Sequence, residues 1–211
     1  MKRKSDTKFH RFICFTFSPL FYSLYRLRVI GRENEPETGS YLVCSNHISA
    51  VDPILITAAL KRQVYFMGKK ELFKIPFLSG LIRALGAFPV DRRGGDVSAV
   101  KHSISLLQKG RCVGLFPQGT RQAGKDPKTT PVRNGAAMIA CRADTSILPV
   151  FIYRKNHTPR FFRKTTIAIG KPIPFSSFGY DPEAKGEYNR ISEEIFARVC
   201  ELGEEAKAWR K

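Results

Sequence analysis

A chain of 211 residues is long enough to bury one substantial core and cramped for two, so a single domain is expected. Lysine and arginine number 36 against 18 acidic residues, a formal charge of +18 that excludes an electrostatically indifferent surface. Such a chain seeks polyanions, whether nucleic acid, an anionic bilayer or an acidic carrier protein.

The five cysteines are scattered, with no Cys-x-x-Cys spacing and no histidines at zinc spacing, so neither a structural metal nor a metal cofactor is expected. Cysteines set in apolar segments behave as small hydrophobes, which points to a reducing compartment.

Residues 1–11 carry Lys2, Arg3, Lys4, Lys8 and Arg11 against one acid, Asp6. An aromatic run follows from Phe12 to Tyr25, shorter than the roughly 20 apolar residues a bilayer-crossing helix needs and interrupted by Pro19. No small-x-small cleavage site comes after it. Two readings stand side by side: a helix, or two helices bent at Pro19, lying in the headgroup layer, or a helix packed on the domain's own core. Residues 1–30 are taken as the membrane-associating segment and 31–211 as the folded domain.

Beyond the turn at Asn34–Ser40, short apolar runs predict strands near 41–44, 64–67, 87–90, 112–116, 147–152 and 165–169. Helical patterns lie between and after them. Asp96 is placed to cap a helix carrying Val97, Val100, Ile104 and Leu107, closed by Lys109-Gly110. Asn134–Ala143 is alanine-rich, and Ile191, Ile195, Val199, Leu202 and Ala206 make an apolar stripe on a terminal helix. Strands alternating with helices predict an α/β domain, a central mostly parallel or mixed sheet flanked by helices. The stretch 154–164 holds Arg154, Lys155, Arg160, Arg163 and Lys164 with Phe161 and Phe162 and no acid. It reads either as a solvated basic loop or as a patch for lipid headgroups.

Two segments carry chemistry. In Asn46-His47-Ile48-Ser49-Ala50-Val51-Asp52-Pro53 a histidine precedes an aspartate by five positions, after the apolar run Tyr41–Cys44. Proline favours the first turn of a helix and aspartate the cap before it, so Asp52 is expected at a loop-to-helix junction. From there it folds back to accept a proton from the His47 ring, which suits a general base acting on a hydroxyl. In the second segment, Phe116-Pro117-Gln118-Gly119-Thr120-Arg121 follows the strand Val113–Leu115. Backbone N–H groups, a hydroxyl and a guanidinium meet at one turn, equipment for a phosphate.

Taken with Gly86-Ala87-Phe88-Pro89-Val90-Asp91-Arg92 and Ile147-Leu148-Pro149-Val150, these segments resemble, in order and spacing, the four blocks of the glycerolipid acyltransferase family. Lys70–Phe77 and Asn134–Ala137 are also similar to that family. The pattern is most like the bacterial members that acylate 1-acylglycerol 3-phosphate. The resemblance implies that His47 takes the acceptor hydroxyl's proton while Asp52 fixes the ring tautomer, with direct transfer and no acyl-enzyme. It further implies phosphate binding by Arg92, Gly119, Thr120 and Arg121, positioning by Asn46 and Gln118, and an acyl channel at Leu148 and Pro149. The donor would be acyl-carrier protein or acyl-CoA, the acceptor lysophosphatidic acid, and the setting an anionic membrane surface on the cytoplasmic face of the cell membrane.

One residue departs from the pattern: Gln118 stands where the family has glutamate. Its amide keeps the size and the hydrogen bonding, but a role that needs negative charge does not survive. The loop 122–133, with Lys125, Lys128 and Arg133, is assigned no role. Other lysolipids or glycerol 3-phosphate are alternative acceptors. A basic nucleic-acid binder is a reading of another class, and no helix-turn-helix, zinc finger or RNA-recognition signature supports it.

Overall fold

The computed structural model describes residues 16, 18–91, 97–160 and 162–208. Its centre is a seven-stranded sheet in the order β1-β7-β6-β2-β5-β3-β4, from β1 (Leu27–Ile30), β2 (Tyr41–Ser45), β3 (Val64–Lys69), β4 (Phe88–Val90), β5 (Cys112–Leu115), β6 (Ser146–Tyr153) and β7 (Thr165–Ile169). Neighbours run parallel except β6 and β7, which pair antiparallel, so the expected mixed α/β sheet is present. The six anticipated strands appear at nearly the anticipated positions.

β1 was not anticipated. It pairs in parallel with β7, Leu27 against Thr165 through Ile30 against Ala168, so the sheet begins before residue 31. The expected boundary at residue 30 therefore falls at the end of a sheet strand. Only Leu27 of its four residues is buried, which leaves too weak an apolar pattern to read.

β2 sits between β5 and β6 and is covered on both faces, so all five of its residues are buried. Alternate side chains feed two cores. Leu42 and Cys44 join Val113, Ile147 and Phe151 on one face, beneath α4 (Val97–Gln108), α5 (Gly135–Ala143) and α6 (Glu187–Ala208). Tyr41 and Val43 join Leu148, Val150 and Ile167 on the other face, against Leu55 and Ile56 of α2 (Asp52–Ala59).

The second face also receives α1 (residues 18–24), whose Phe21, Tyr22 and Leu24 pack against it beside the buried Tyr25. In this part of the aromatic run, packing on the domain's own core is what the structure shows. Residues 12–15 and 17 lie outside the described set, as do Arg92, Asp96 and Phe161.

Pro149 sits inside β6, an unusual place for a residue with no N–H. The β6–β7 register explains it. Val150 pairs with Ile169, but the isolated bridge beyond joins Ile147 to Ile173, a slip of one residue. Pro149 lies at that bulge and only accepts, from Gly170 N–H at 2.9 Å.

Parallel strands bring their carboxyl ends to one edge of the sheet, where the loops after β2 and β5 meet. The candidate site lies there.

Candidate active site

The loop from β2 to α2 is organised by a single carboxylate oxygen. Asp52 Oδ2 accepts from His47 Nδ1–H at 2.9 Å, from Ile48 N–H at 2.7 Å and from Ser49 N–H at 2.6 Å. The expectation of a cap is corrected here. Asp52 is the first residue of α2, Val51 precedes it without a side-chain cap bond, and the carboxylate serves the loop behind it rather than the helix ahead. Pro53 makes this possible, since its missing N–H is one donor of the first turn that needs no partner.

With Nδ1–H given to Asp52, Nε2 is the ring's remaining acceptor. The ring itself is clamped. It stacks on Phe116, the first residue after β5, with centroids 4.0 Å apart and planes 13° from parallel, and Phe116 stacks on Phe66 of β3 at 5.9 Å.

Asn46 anchors the loop to β6, donating from Nδ2 to Ile152 O at 3.1 Å and accepting from Ile152 N–H at 2.7 Å. Gln118 anchors it to β5. Its Oε1 accepts His47 N–H at 2.7 Å, while Nε2 donates to Thr130 Oγ1 at 2.6 Å. Thr130 in turn donates to Pro127 O at 2.6 Å. Gln118 is buried, and both ends of its amide are used. A carboxylate would lack the donor that Thr130 receives.

His47 lines a cavity of about 440 Å³ together with Met67, Val90, Phe116, Gly119, Thr120 and Arg133. Gly119 takes a left-handed φ of 71°, and a Cβ there would lie 3.2 Å from Arg133 Cγ, so glycine lets this turn lie close against the arginine. Of the expected phosphate ligands, Gly119 and Thr120 line the cavity. Arg121 is exposed and outside the lining, and Arg92 lies outside the described residues. Arg133, which sequence reasoning left without a role, supplies the guanidinium there. It is brought in by a backbone bond from Arg133 N–H to Pro117 O at 2.8 Å, a pairing that no local pattern announces.

Leu148 and Pro149 are not brought to this cavity. Leu148 is fully buried in the core, and Pro149 borders a separate cavity of about 550 Å³ with Ile30, Ile169 and Leu202. Their apolar character serves the sheet and its bulge.

A further charged residue stands behind the dyad. Arg154, directly after β6, is 1% exposed and points its Nη1 at Asp52 Oδ1, 3.8 Å away. Nε donates to Thr165 Oγ1 at 3.0 Å, and the guanidinium lies 5.4 Å over the Tyr25 ring. Burial pushes this guanidinium below its ordinary range, and the Asp52 charge opposes that. The rest of the basic stretch faces outward. Lys155, Arg160, Arg163 and Lys164 border a recess of about 220 Å³.

Among the described residues no group of three or more His, Cys, Asp or Glu is placed to hold a metal ion. The arrangement is an oriented imidazole opening on a cavity with a cationic, glycine-turned rim, suited to taking a proton from an anchored hydroxyl.

Comparison with known proteins agrees with this chemistry. A family model described as acyltransferase matches residues 26–153. The chain is 30% identical over 179 residues to a 1-acyl-sn-glycerol-3-phosphate acyltransferase of Bacillus subtilis, covering 83% of this chain and 87% of that one. A Streptococcus pneumoniae protein of the same name is 34% identical over 177 residues, 81% of this chain and 63% of its own. Among solved structures, the 1-acyl-sn-glycerophosphate (LPA) acyltransferase of Thermotoga maritima aligns with a TM-score of 0.65 at 26% identity, covering 91% of this chain and 78% of that one.

Proposed function

The chain belongs to the acyltransferase family, and on that premise we propose that it moves a fatty acyl group from a thioester to the free hydroxyl of 1-acylglycerol 3-phosphate, giving phosphatidic acid. The observation that carries this reading is the 2.9 Å contact between His47 Nδ1 and Asp52 Oδ2, with the ring lining the cavity beside Gly119, Thr120 and Arg133.

His47 Nε2 takes the hydroxyl proton as the acceptor oxygen attacks the thioester carbonyl, and Asp52 favours the imidazolium that forms. The tetrahedral intermediate then collapses. The C–S bond breaks, and the imidazolium returns its proton to the departing thiolate. The residues present serve the transfer without a covalent enzyme intermediate. Gly119, Thr120 and Arg133, with Arg92 and Arg121 from the family pattern, hold the acceptor phosphate, so that positioning replaces a bimolecular search. The donor is acyl-carrier protein or acyl-CoA.

The work is done on an anionic membrane surface, at the cytoplasmic face of the cell membrane. Support comes from the +18 charge, the basic residues at 2–11 and the exposed Leu20 of α1. No described helix is long and apolar enough to cross a bilayer, and the association is peripheral or monotopic.

Purified protein given detergent-dispersed lysophosphatidic acid and each thioester in turn tests the activity. His47→Ala and Asp52→Asn are expected to lower kcat/KM roughly a hundredfold to ten-thousandfold. Unchanged turnover in both variants rejects the dyad.

A further inference from the structure

The chain between β3 and β4 is poorly buried. It contains a short 3-10 turn (Lys70–Lys74) and α3 (Leu78–Ala84), and neither buries a residue completely. Instead, Leu72 is 40% exposed, Ile75 47%, Phe77 96% and Leu81 43%, four of the seven large hydrophobic side chains exposed among the described residues. Scattered exposed leucines are ordinary, but four within ten positions form a patch. Lys70, Lys74 and Arg83 stand exposed beside it.

The backbone shows that this exposure is imposed. Phe77 has φ 60° and ψ −48°, and Leu78 N–H donates to Pro76 O at 2.7 Å across it. That is the strained form of the γ-turn, a conformation that a bulky side chain enters only at a cost. Among the described residues no packing of the ring offsets the cost, since Phe77 stands almost fully exposed.

We propose that the segment from Lys70 to Ala84 is the surface by which this protein docks on an anionic phospholipid bilayer, with Phe77 entering the interface. This rests on the reading that the chain acts at a membrane. Aromatic and aliphatic side chains beside lysines and an arginine match the layering of acyl chains beneath anionic headgroups. The placement is also suitable. The segment leaves β3 three residues after Met67 and returns through β4 to Val90, and both residues are walls of the His47 cavity. A bilayer held there lies beside the opening through which a lysolipid enters.

Flotation with vesicles of phosphatidylcholine, with and without phosphatidylglycerol, tests this on wild type, Phe77→Gly, and Lys70→Gln with Lys74→Gln. Wild type is expected to bind the anionic vesicles, and Phe77→Gly about tenfold more weakly. The double lysine variant is expected to lose about fivefold per charge at low salt. Because glycine accepts the γ-turn without strain, Phe77→Gly is also expected to raise Tm, which separates weaker docking from damage to the fold. Its turnover of detergent-dispersed lysophosphatidic acid stays at the wild-type level.

Wild type that ignores vesicles overturns the membrane reading and this proposal with it. Wild type that binds, with both variants binding equally well, overturns this proposal alone. Sedimentation showing that Phe77→Gly dissociates a dimer without affecting vesicle binding makes the patch a contact between copies, and equally overturns it. So does competition by a single-stranded oligonucleotide in place of lipid.

Discussion

Asp52 is gripped from two sides: three N–H groups converge on Oδ2, and Arg154 Nη1 stands 3.8 Å from Oδ1. A buried ion pair is weak evidence for stability, but removing one partner leaves the other charge uncompensated at about 3–5 kcal/mol. Arg154→Gln is therefore expected to lower unfolding free energy by about 3 kcal/mol. It should also lower kcat on the order of tenfold with KM for the acceptor little changed, since the arginine acts through Asp52. Arg154→Lys should recover part of kcat, because it keeps the charge but loses the planar fork that also bonds Thr165. Urea melts and initial-rate kinetics check this; a kcat that follows stability alone, with no recovery in the lysine variant, removes the positioning role. Arg154 also marks how far single residues were legible. His47 and Asp52 lie on one turn, so spacing reveals them. Gln118 reveals only that charge is absent, while its two amide partners, His47 N–H and Thr130 Oγ1, come from separate loops. Arg154 and Arg133 reach the site through strand pairing and a backbone bond, and no local pattern encodes either.

At the scale of elements, the alignment of the imidazole depends on β5. Gly114 carries no side chain because Phe66 of the neighbouring strand occupies that space: a Cβ at residue 114 would lie 2.2 Å from the Phe66 ring. Phe66 stacks on Phe116, and Phe116 on His47. Gly114→Ala is thus expected to cost about 1–3 kcal/mol by overpacking and to lower kcat by displacing the ring stack, although residue 114 touches no reacting group. Adding Phe66→Leu should restore part of both, which thermal melts and rates on the single and double variants measure; additive losses sink the idea of a transmitted displacement. Elements with strong periodicity were readable from sequence, as Ile191, Ile195 and Val199 on α6 illustrate, all three fully buried. β1 was not, because an exposed edge strand of four residues shows little alternation and gains its place only from β7, far along the chain.

On the scale of the molecule, 36 basic residues face 18 acidic ones, and several acids are already committed. Glu187, Glu194, Glu201 and Glu204 pair with cations along or near α6, so these acids are already engaged, and the whole chain keeps its formal excess of +18. Self-repulsion of this size destabilises the compact state, and salt relieves it. The Debye length falls from about 30 Å at 0.01 M to about 8 Å at 0.15 M, shorter than the width of a small domain. Stability is therefore expected to rise across that range, and roughly 1 kcal/mol would raise Tm by about 2–4 °C. Docking on anionic vesicles depends on the same unneutralised charge acting attractively, so it should weaken over the same titration. Opposite slopes for Tm and vesicle binding, measured on one protein in one salt series, are the expected signature. A flat Tm would mean that the cations are too widely spaced to repel, and the excess charge would then serve encounter with anionic partners without straining the fold.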